Sequence, residues 1–171
     1  MAKQAKVAFV GLGVMGYPMA GHLAAKGHDV VVYNRSGAKA DAWVAEHGGA
    51  KADTPAAAAA GRDIVLVCVG NNDDVRSVIY GDDGVFAGMG EGATLVDHTT
   101  DSADLARELS VAAGERKFGF LDAPVSGGQA GAENGVLTVM VGGDQATFDA
   151  TAPVIDAFAR AITLMGPAGS G

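Results

Sequence analysis

Short apolar runs alternate along this chain with segments of helical periodicity, and glycine, proline or polar clusters separate them. Short, continuous apolar runs bounded in this way are typical of strands that are buried on both faces of a sheet. The predicted strands are Val7–Val10, Val30–Tyr33, Ala50–Ala52, Asp63–Gly70, Ala93–Asp97, Phe118–Ala123, Leu137–Val141 and Ala161–Met165. The alternation predicts an α/β fold with a doubly wound, mostly parallel sheet.

Helices are predicted between these strands, and most of them begin at a residue that can cap a helix. The segments are Gly16–Gly27, 36–46, 55–60, 71–80, 102–113 and 144–159. Ser36, Thr54 and Asp144 are predicted N-caps, and either Asp101 or Ser102 caps the fifth helix. Pro153 is expected to kink the last helix, because a proline inside a helix removes one backbone hydrogen bond.

A glycine turn follows the first predicted strand directly. Gly11, Gly13 and Gly16 have the spacing G-x-G-x-x-G between a strand and a helix, which is the context of a Rossmann dinucleotide site. The start of the helix offers free N–H groups and a partial positive charge to a diphosphate. We therefore predict cofactor contacts along the whole turn, at Gly11, Leu12, Gly13, Val14, Met15 and Gly16.

The end of the second strand bears on which dinucleotide binds. An NAD site usually has Asp or Glu there to hold the ribose hydroxyls. This chain has Asn34, Arg35 and Ser36 instead. A guanidinium makes charge-assisted bonds to a 2′-phosphate, so we predict NADP as the cofactor, with NAD as the alternative. The competing interpretation is that Arg35 is a solvated loop residue.

Composition excludes several other classes of protein. The chain has 171 residues, 49% hydrophobic content, 26 glycines and a formal net charge of −8, which fit one domain without a nucleic-acid surface. No run is long enough to span a membrane, and the N-terminus has no signal peptide, so we expect a cytoplasmic protein. The single cysteine, Cys68, and four scattered histidines predict no metal site.

Two further groups of residues follow predicted strands and so face the same carboxyl edge of the sheet. Val69 and Gly70 end one strand and are predicted cofactor contacts, and His98, Thr99 and Thr100 follow the next strand.

A second glycine-rich stretch follows the strand that ends near Ala123. Ser126, Gly127 and Gly128 can present a hydroxyl and two N–H groups to an anion, and a small carboxylate suits such a site. The alternative is that these residues form only a turn.

The sequence resembles the β-hydroxyacid dehydrogenases, most closely the 3-hydroxyisobutyrate dehydrogenase branch. The resemblance rests on the glycine turn and on five further segments, namely Asn34–Ser36, Asp97–Thr100, Asp122–Gly128, Val141–Asp144 and Gly166–Gly171. It implies that Ser126, Gly127 and Gly128 bind the substrate carboxylate. It also implies cofactor contacts at Val69 and Gly70, and a contact near the nicotinamide at Thr100. His98 is interpreted as a structural residue.

The resemblance implies that the catalytic lysine lies beyond Gly171, so no catalytic residue is predicted within this chain. It divides the chain into an NAD(P)-binding domain, 1–165, and the start of an interdomain connection, 166–171. The family's all-helical second domain, through which a homo-oligomer is expected to form, would follow. The expected activity is NADP-dependent hydride transfer on a small β-hydroxy acid. The alternatives are a glyoxylate, succinic semialdehyde or tartronate semialdehyde reductase, an imine reductase, and a non-catalytic dinucleotide-binding module.

Overall fold

The computed structural model describes residues 4–171, so the first three residues of the predicted domain lie outside it. Within this range, strands and helices alternate as the hydrophobic pattern predicts. The strands are β1 (Lys6–Val10), β2 (Asp29–Tyr33), β3 (Ala50–Lys51), β4 (Ile64–Val67), β5 (Thr94–Asp97), β6 (Gly119–Asp122), β7 (Val125–Ser126), β8 (Leu137–Gly142) and β9 (Ala159–Gly166).

The helices lie between these strands. They are α1 (Gly16–Ala25), α2 (Gly37–His47), α3 (Pro55–Ala59), α4 (Asn72–Ile79), α5 (Val85–Gly88), α6 (Ala103–Glu115), α7 (Gly128–Asn134) and α8 (Gln145–Ile155). Within residues 4–171, no helix combines the length and the apolar character that crossing a bilayer requires.

The strands form one sheet in the order β3-β2-β1-β4-β5-β6-β8-β7, and β9 pairs with β8. Strands β1 to β6 are parallel to one another, while β8 runs antiparallel to β6 and β7. The strand order reverses between β1 and β4, and this is where an open α/β sheet forms its binding crevice. The predicted doubly wound, mostly parallel Rossmann sheet is therefore confirmed.

The sheet separates two hydrophobic layers. Strand β1 shows the alternation, because Val7 and Phe9 pack into one layer and Ala8 and Val10 into the other, all fully buried. Full burial of a large apolar side chain such as Phe9 contributes roughly 1.5–3 kcal/mol to stability. Burial on both faces explains why the central strands are continuous apolar runs.

Most predicted helix caps are confirmed. The side chains of Thr54, Ser102 and Asp144 each accept the backbone N–H three residues further on. Asn71, which was not predicted as a cap, does the same at the start of α4. Ser102 rather than Asp101 therefore caps α6. The expectation for Ser36 is wrong, because this residue occupies the N-cap position of α2 without a side-chain capping bond.

Three elements are missing from the predictions: α5, β7 and α7. Helix α5 has only four residues, which is too short to show a helical period. Helix α7 begins at Gly128 and has the sequence Gly-Gln-Ala-Gly-Ala-Glu-Asn, whose polar and glycine residues indicate a loop. Strand β7 has two residues and pairs with β8.

Several predicted boundaries differ from the structure. The fourth strand was expected to reach Gly70 but ends at Val67, because the Val69 N–H leaves the ladder and donates to the Thr99 hydroxyl at 3.0 Å. The last helix was expected to reach Ala159 but ends at Ile155, two residues after Pro153. A 3₁₀ turn, Asp156–Phe158, then leads into β9, which begins earlier than the predicted strand.

Candidate functional site

The glycine turn between β1 and α1 requires glycine at two of its three positions. Gly11 has φ +104°, and a Cβ there would collide with the Cys68 carbonyl oxygen. A Cβ on Gly16 would collide with the Gly11 carbonyl oxygen. The backbone therefore approaches closely at both positions, and α1 packs tightly against the turn. The predicted roles of Gly11 in a tight turn and of Gly16 in close helix packing agree with this geometry.

Gly13 differs from its two neighbours in the motif. A Cβ at this position would meet no atom within 4 Å, so the space beside it is open. Within residues 4–171, the N–H groups of Gly13, Val14 and Met15 donate to no protein acceptor. Val14 is 61% exposed. Free donors at the start of a helix, beside an open surface, fit an anionic group such as a diphosphate.

Asn34 connects this turn to the end of β2. Its side-chain Oδ1 accepts the Leu12 N–H at 2.9 Å, and its Nδ2 donates to the Ser36 carbonyl at 3.2 Å. The Gly11 N–H also donates to the Tyr33 carbonyl at 2.9 Å. Asn34 was predicted to contact the cofactor, and the structure shows that both its polar atoms hold the protein backbone.

A cavity of about 1190 Å³ opens above the turn. All the predicted cofactor residues except Thr100 line it: Gly11, Leu12, Gly13, Val14, Met15, Gly16, Asn34, Arg35, Ser36, Val69 and Gly70. The cavity lies at the carboxyl ends of β1, β2 and β4, at the reversal in strand order. Both its position and its size fit a dinucleotide.

One end of the cavity is cationic. Arg35, Ser36 and Lys39 line it, and within the described part of the chain neither cation lies in an ion pair with a carboxylate. The Asp53 carboxylate also lines the cavity. Lys39 lies in the first turn of α2, outside every motif of the sequence, and was not predicted.

Several other residues of the cavity lining were not predicted from the sequence. Thr54, Pro55, Ser77 and Tyr80 line the cavity together with the turn 81–84. These residues come from α3, α4 and the loop after α4, and they carry no binding motif of their own. Their role depends on tertiary packing, so no local sequence signal identifies them.

The segment that follows β5 links the ends of neighbouring strands. The Thr99 hydroxyl accepts the Val69 N–H at 3.0 Å, while His98 Nδ1 lies 2.7 Å from the Ala123 carbonyl oxygen and donates to it as the neutral imidazole. Thr100 is exposed beside them, outside the lining of the cavity. Residues 98 and 99 thus connect the loops that carry Val69 and Ser126.

His98 is enclosed by the protein. Its side chain is 1% exposed and packs edge-on against Phe158, with ring centroids 5.4 Å apart. Burial lowers the pKa of His98 to about 4, only partly offset by its bond to the Ala123 carbonyl. The imidazole is therefore neutral at physiological pH, which agrees with the structural interpretation of this residue.

Three carboxyl groups meet beneath the same edge of the sheet. Asp97 and Asp122 are register partners at the ends of β5 and β6. Asp122 accepts the Gly169 N–H at 2.8 Å and the Gly171 N–H at 2.9 Å, and so holds the final turn of the chain. Burial raises the pKa of Asp97 well above its ordinary value, and the neighbouring Asp101 carboxyl raises it further.

The predicted carboxylate site lies beyond β6. Ser126 ends β7, and Gly127 and Gly128 have φ of +133° and +63° as α7 begins. All three residues are exposed and lie outside the lining of the cavity. Among the described residues, no protein group accepts a hydrogen bond from the N–H of Gly127 or Gly128. The structure brings these donors to the surface and leaves their predicted role open.

Cys68 follows β4 and lines the cavity. Burial raises the pKa of its thiol to about 12, with a smaller contribution from Asp97. The thiol is therefore protonated at neutral pH, and its interpretation as a small hydrophobic residue agrees with this environment.

Known proteins share both the sequence and the fold. An uncharacterized oxidoreductase of Shewanella frigidimarina is 64% identical over 98% of this chain and 57% of its own length. An NAD-dependent L-serine dehydrogenase of Pseudomonas aeruginosa is 37% identical over 97% of this chain and 55% of its own length. The chain therefore spans somewhat more than half the length of these relatives.

The solved structure of 3-hydroxyisobutyrate dehydrogenase from Mycobacterium tuberculosis, with L-serine, superposes on 99% of this chain and 57% of its own, with a TM-score of 0.92 and 34% identity. The family model for the NAD-binding domain of 6-phosphogluconate dehydrogenase matches residues 6–166. The resemblance found in the sequence is thus confirmed, and the chain belongs to this NAD(P)-binding family of β-hydroxyacid dehydrogenases.

Proposed function

We propose that this chain is the cofactor-binding part of an NADP-dependent oxidoreductase of small β-hydroxy acids. NADP, when bound, supplies the hydride acceptor for oxidation of the substrate hydroxyl carbon, or the donor for the reverse reaction. The family and the glycine turn support a dinucleotide site. The preference for NADP and the class of substrate are the finer parts of this proposal, and each has its own support.

The preference for NADP rests on one observation: the end of β2 offers cations and no carboxylate. Asn34 stands where an acidic residue would hold the ribose hydroxyls, and its amide is occupied by the backbone. Arg35 and Lys39 line the adjacent end of the cavity without an acidic partner among the described residues. A 2′-phosphate would neutralise them through charge-assisted hydrogen bonds.

The substrate class rests on the surface formed by Ser126, Gly127 and Gly128. A hydroxyl and two free backbone donors suit a small carboxylate. The names of two related proteins mention 3-hydroxyisobutyrate and L-serine, both of which carry a hydroxyl on the carbon β to a carboxylate. The proposed general acid/base is a lysine beyond Gly171, so we assign proton transfer to no residue of this chain.

The experiment is a calorimetric titration of the chain with NADPH and, separately, with NADH. We expect tighter binding of NADPH. Arg35→Ala and Lys39→Ala should each weaken NADPH binding about tenfold to a hundredfold, because each removes a charge-assisted contact of roughly 1.5–3 kcal/mol. The affinity of each variant for NADH should stay within about twofold of the wild-type value, because NADH lacks the 2′-phosphate.

Lys26→Ala is the matched control, because Lys26 is an exposed cation beyond the end of α1 and lies outside the lining of the cavity. It should leave both affinities unchanged. Equal losses for NADPH and NADH in the Arg35 variant would contradict the assignment of the 2′-phosphate. Tighter binding of NADH by the wild-type chain would replace NADP by NAD and leave the family membership intact.

A further inference from the structure

The carboxyl pair Asp97–Asp101 stands at the two ends of the segment that carries Thr99 and Thr100. Asp97 is 1% exposed at the end of β5, and Asp101 follows four residues later, before α6. Asp97 Oδ1 accepts the Thr99 N–H at 3.0 Å. The second oxygen of each residue, Asp97 Oδ2 and Asp101 Oδ2, is buried, and no N–H or O–H group of the described residues reaches it.

Two neighbouring carboxylates would be costly if both were charged, since they would repel each other and the buried Oδ2 atom of each would have no donor. A single proton resolves both problems. Placed on Asp97 Oδ2, it forms a hydrogen bond to the Asp101 carboxylate while Asp97 Oδ1 continues to accept the Thr99 N–H. Asp97 is the more enclosed partner of the two.

The pKa values of the two carboxyl groups are shifted in the directions that this placement requires. Burial raises the pKa of Asp97 well above its ordinary value of 3.8, and its hydrogen bond with Asp101 raises it further. Burial also raises the pKa of Asp101, whereas the bond with Asp97 lowers it and the nearby charge of Asp122 raises it. The shared bond therefore favours the neutral form of Asp97 and the charged form of Asp101.

The other titratable groups around the pair leave this arrangement in place. The Cys68 thiol and the His98 imidazole are both neutral at physiological pH. Asp122 is occupied by the N–H groups of Gly169 and Gly171. The Arg107 guanidinium lies beside Gly169 and pairs with Asp104 at 2.7 Å. Among the described residues, no cation forms an ion pair with either member of the carboxyl pair.

We propose that Asp97 is a positioning residue that works as a neutral acid, donating a hydrogen bond to Asp101 and so fixing the segment Asp97–Thr100 against the Val69 loop. Two observed bonds continue this path: Asp97 Oδ1 accepts the Thr99 N–H, and the Thr99 hydroxyl accepts the Val69 N–H. The proposed proton adds the first link, from Asp97 to Asp101. The inference rests on the proposed function, because it is the bound dinucleotide that Val69 and Thr100 would contact.

The experiment compares Asp97→Asn with Asp97→Ala. The asparagine amide keeps an acceptor for the Thr99 N–H and provides a permanent donor to Asp101. We expect Asp97→Asn to bind NADPH within about twofold of wild type at pH 7, whereas Asp97→Ala, which loses both bonds, binds about tenfold more weakly. If the wild-type chain bound no dinucleotide, the proposed function would fail, while the stability measurements below would still test the proton.

The pH dependence of stability distinguishes the proposal from a purely structural role of Asp97, because only a titrating proton makes wild type and Asp97→Asn differ in it. A group with a raised pKa in the folded state contributes stability that falls as the pH rises from its unfolded value to its folded value. The wild-type chain should therefore lose stability above about pH 4 through the Asp97 proton, and Asp97→Asn should lack this loss. Parallel profiles of stability against pH for the two proteins would overturn the proposal. So would an Asp97→Asn variant that binds NADPH no more tightly than Asp97→Ala.

Asp122→Asn is the matched control, because Asp122 is the register partner of Asp97 and accepts two N–H groups. The amide NH₂ of an asparagine at this position would face one of these two N–H groups, and two donors cannot bond to each other. This variant should therefore be destabilised, whereas Asp97→Asn should be tolerated. Should Asp97→Asn fail to fold, ¹³C NMR of the wild-type side-chain carboxyls decides the question. A buried aspartate that titrates above all the others supports the proposal, and its absence overturns it.

Discussion

Asn34 Oδ1 and the Leu12 N–H, 2.9 Å apart, join the end of β2 to the glycine turn. The bond spans the two segments that the sequence analysis treated as separate signals, one for the diphosphate and one for the choice of cofactor. Since Asn34 Nδ2 also holds the Ser36 carbonyl, one side chain sets the distance between them. Under the proposed function, residue 34 would therefore affect the binding of any dinucleotide, and residue 35 only the binding of one that carries a 2′-phosphate.

Asn34→Ala should weaken binding of NADPH and NADH by the same factor, about threefold to tenfold, because a neutral hydrogen bond contributes about 1 kcal/mol. Arg35→Ala provides the contrast, since its effect is expected for NADPH alone. Calorimetric titration of both variants with both cofactors measures the difference. A loss confined to NADPH in Asn34→Ala would show that the amide contacts the 2′-phosphate after all.

Gly13→Ala should leave the fold unchanged and weaken dinucleotide binding at least tenfold. A Cβ at this position meets no protein atom within 4 Å, so it would occupy only the space assigned to the diphosphate. Gly11→Ala should instead unfold or greatly destabilise the chain, because of its positive φ and its collision with the Cys68 carbonyl. Thermal unfolding and NADPH titration of the two variants separate these effects. Normal NADPH binding by folded Gly13→Ala would remove the diphosphate from this position.

His98 should make the chain sensitive to mild acid. Its pKa is lowered to about 4 from an ordinary value of 6.5, so the unfolded chain takes up a proton that the folded chain does not. The stability from this residue is present above about pH 6.5 and is lost as the pH falls toward 4, by at most about 3 kcal/mol. Chemical denaturation of wild type and His98→Gln between these pH values measures the difference.

Other groups also contribute to the pH dependence of stability in this range, so the control is a comparison of two proteins. Burial lowers the pKa of His28, so His28 adds a loss of the same sign, while Asp97 contributes in the opposite direction. The prediction therefore concerns the difference between wild type and His98→Gln. Identical pH profiles would mean that the buried imidazole accepts a proton without unfolding.

Cys68 should react very slowly with thiol reagents in the folded chain. Its pKa of about 12, against an ordinary value of 9.0, lowers the thiolate fraction near pH 8 by about a thousandfold. Labelling by a chromogenic disulfide checks this directly, because Cys68 is the only cysteine. The same chain in denaturant is the control and should react at the rate of a free thiol. Fast labelling under native conditions would show that the cavity wall opens.

The parallel strands and the glycine turn were predictable because their signals are local. A strand buried on both faces is a continuous apolar run, and the turn has fixed glycine spacing. Lys39, Tyr80 and the Asp97–Asp101 pair were not predicted, because their roles depend on which loops meet at the carboxyl edge. Helix α7 was missed for a different reason: its glycine and polar residues contradict helix propensity, and packing of Ala132 into the core overrides it.

Different selective pressures act on the three glycines of the turn. Gly11 and Gly16 are required for the chain to fold, whatever it binds, because each would collide with neighbouring backbone if it carried a side chain. A descendant that had lost its ligand would still need both of them. Gly13 is constrained only by what occupies the open space beside it. Among homologues of this chain, variation at Gly13 would mark the lineages in which the diphosphate site has fallen out of use.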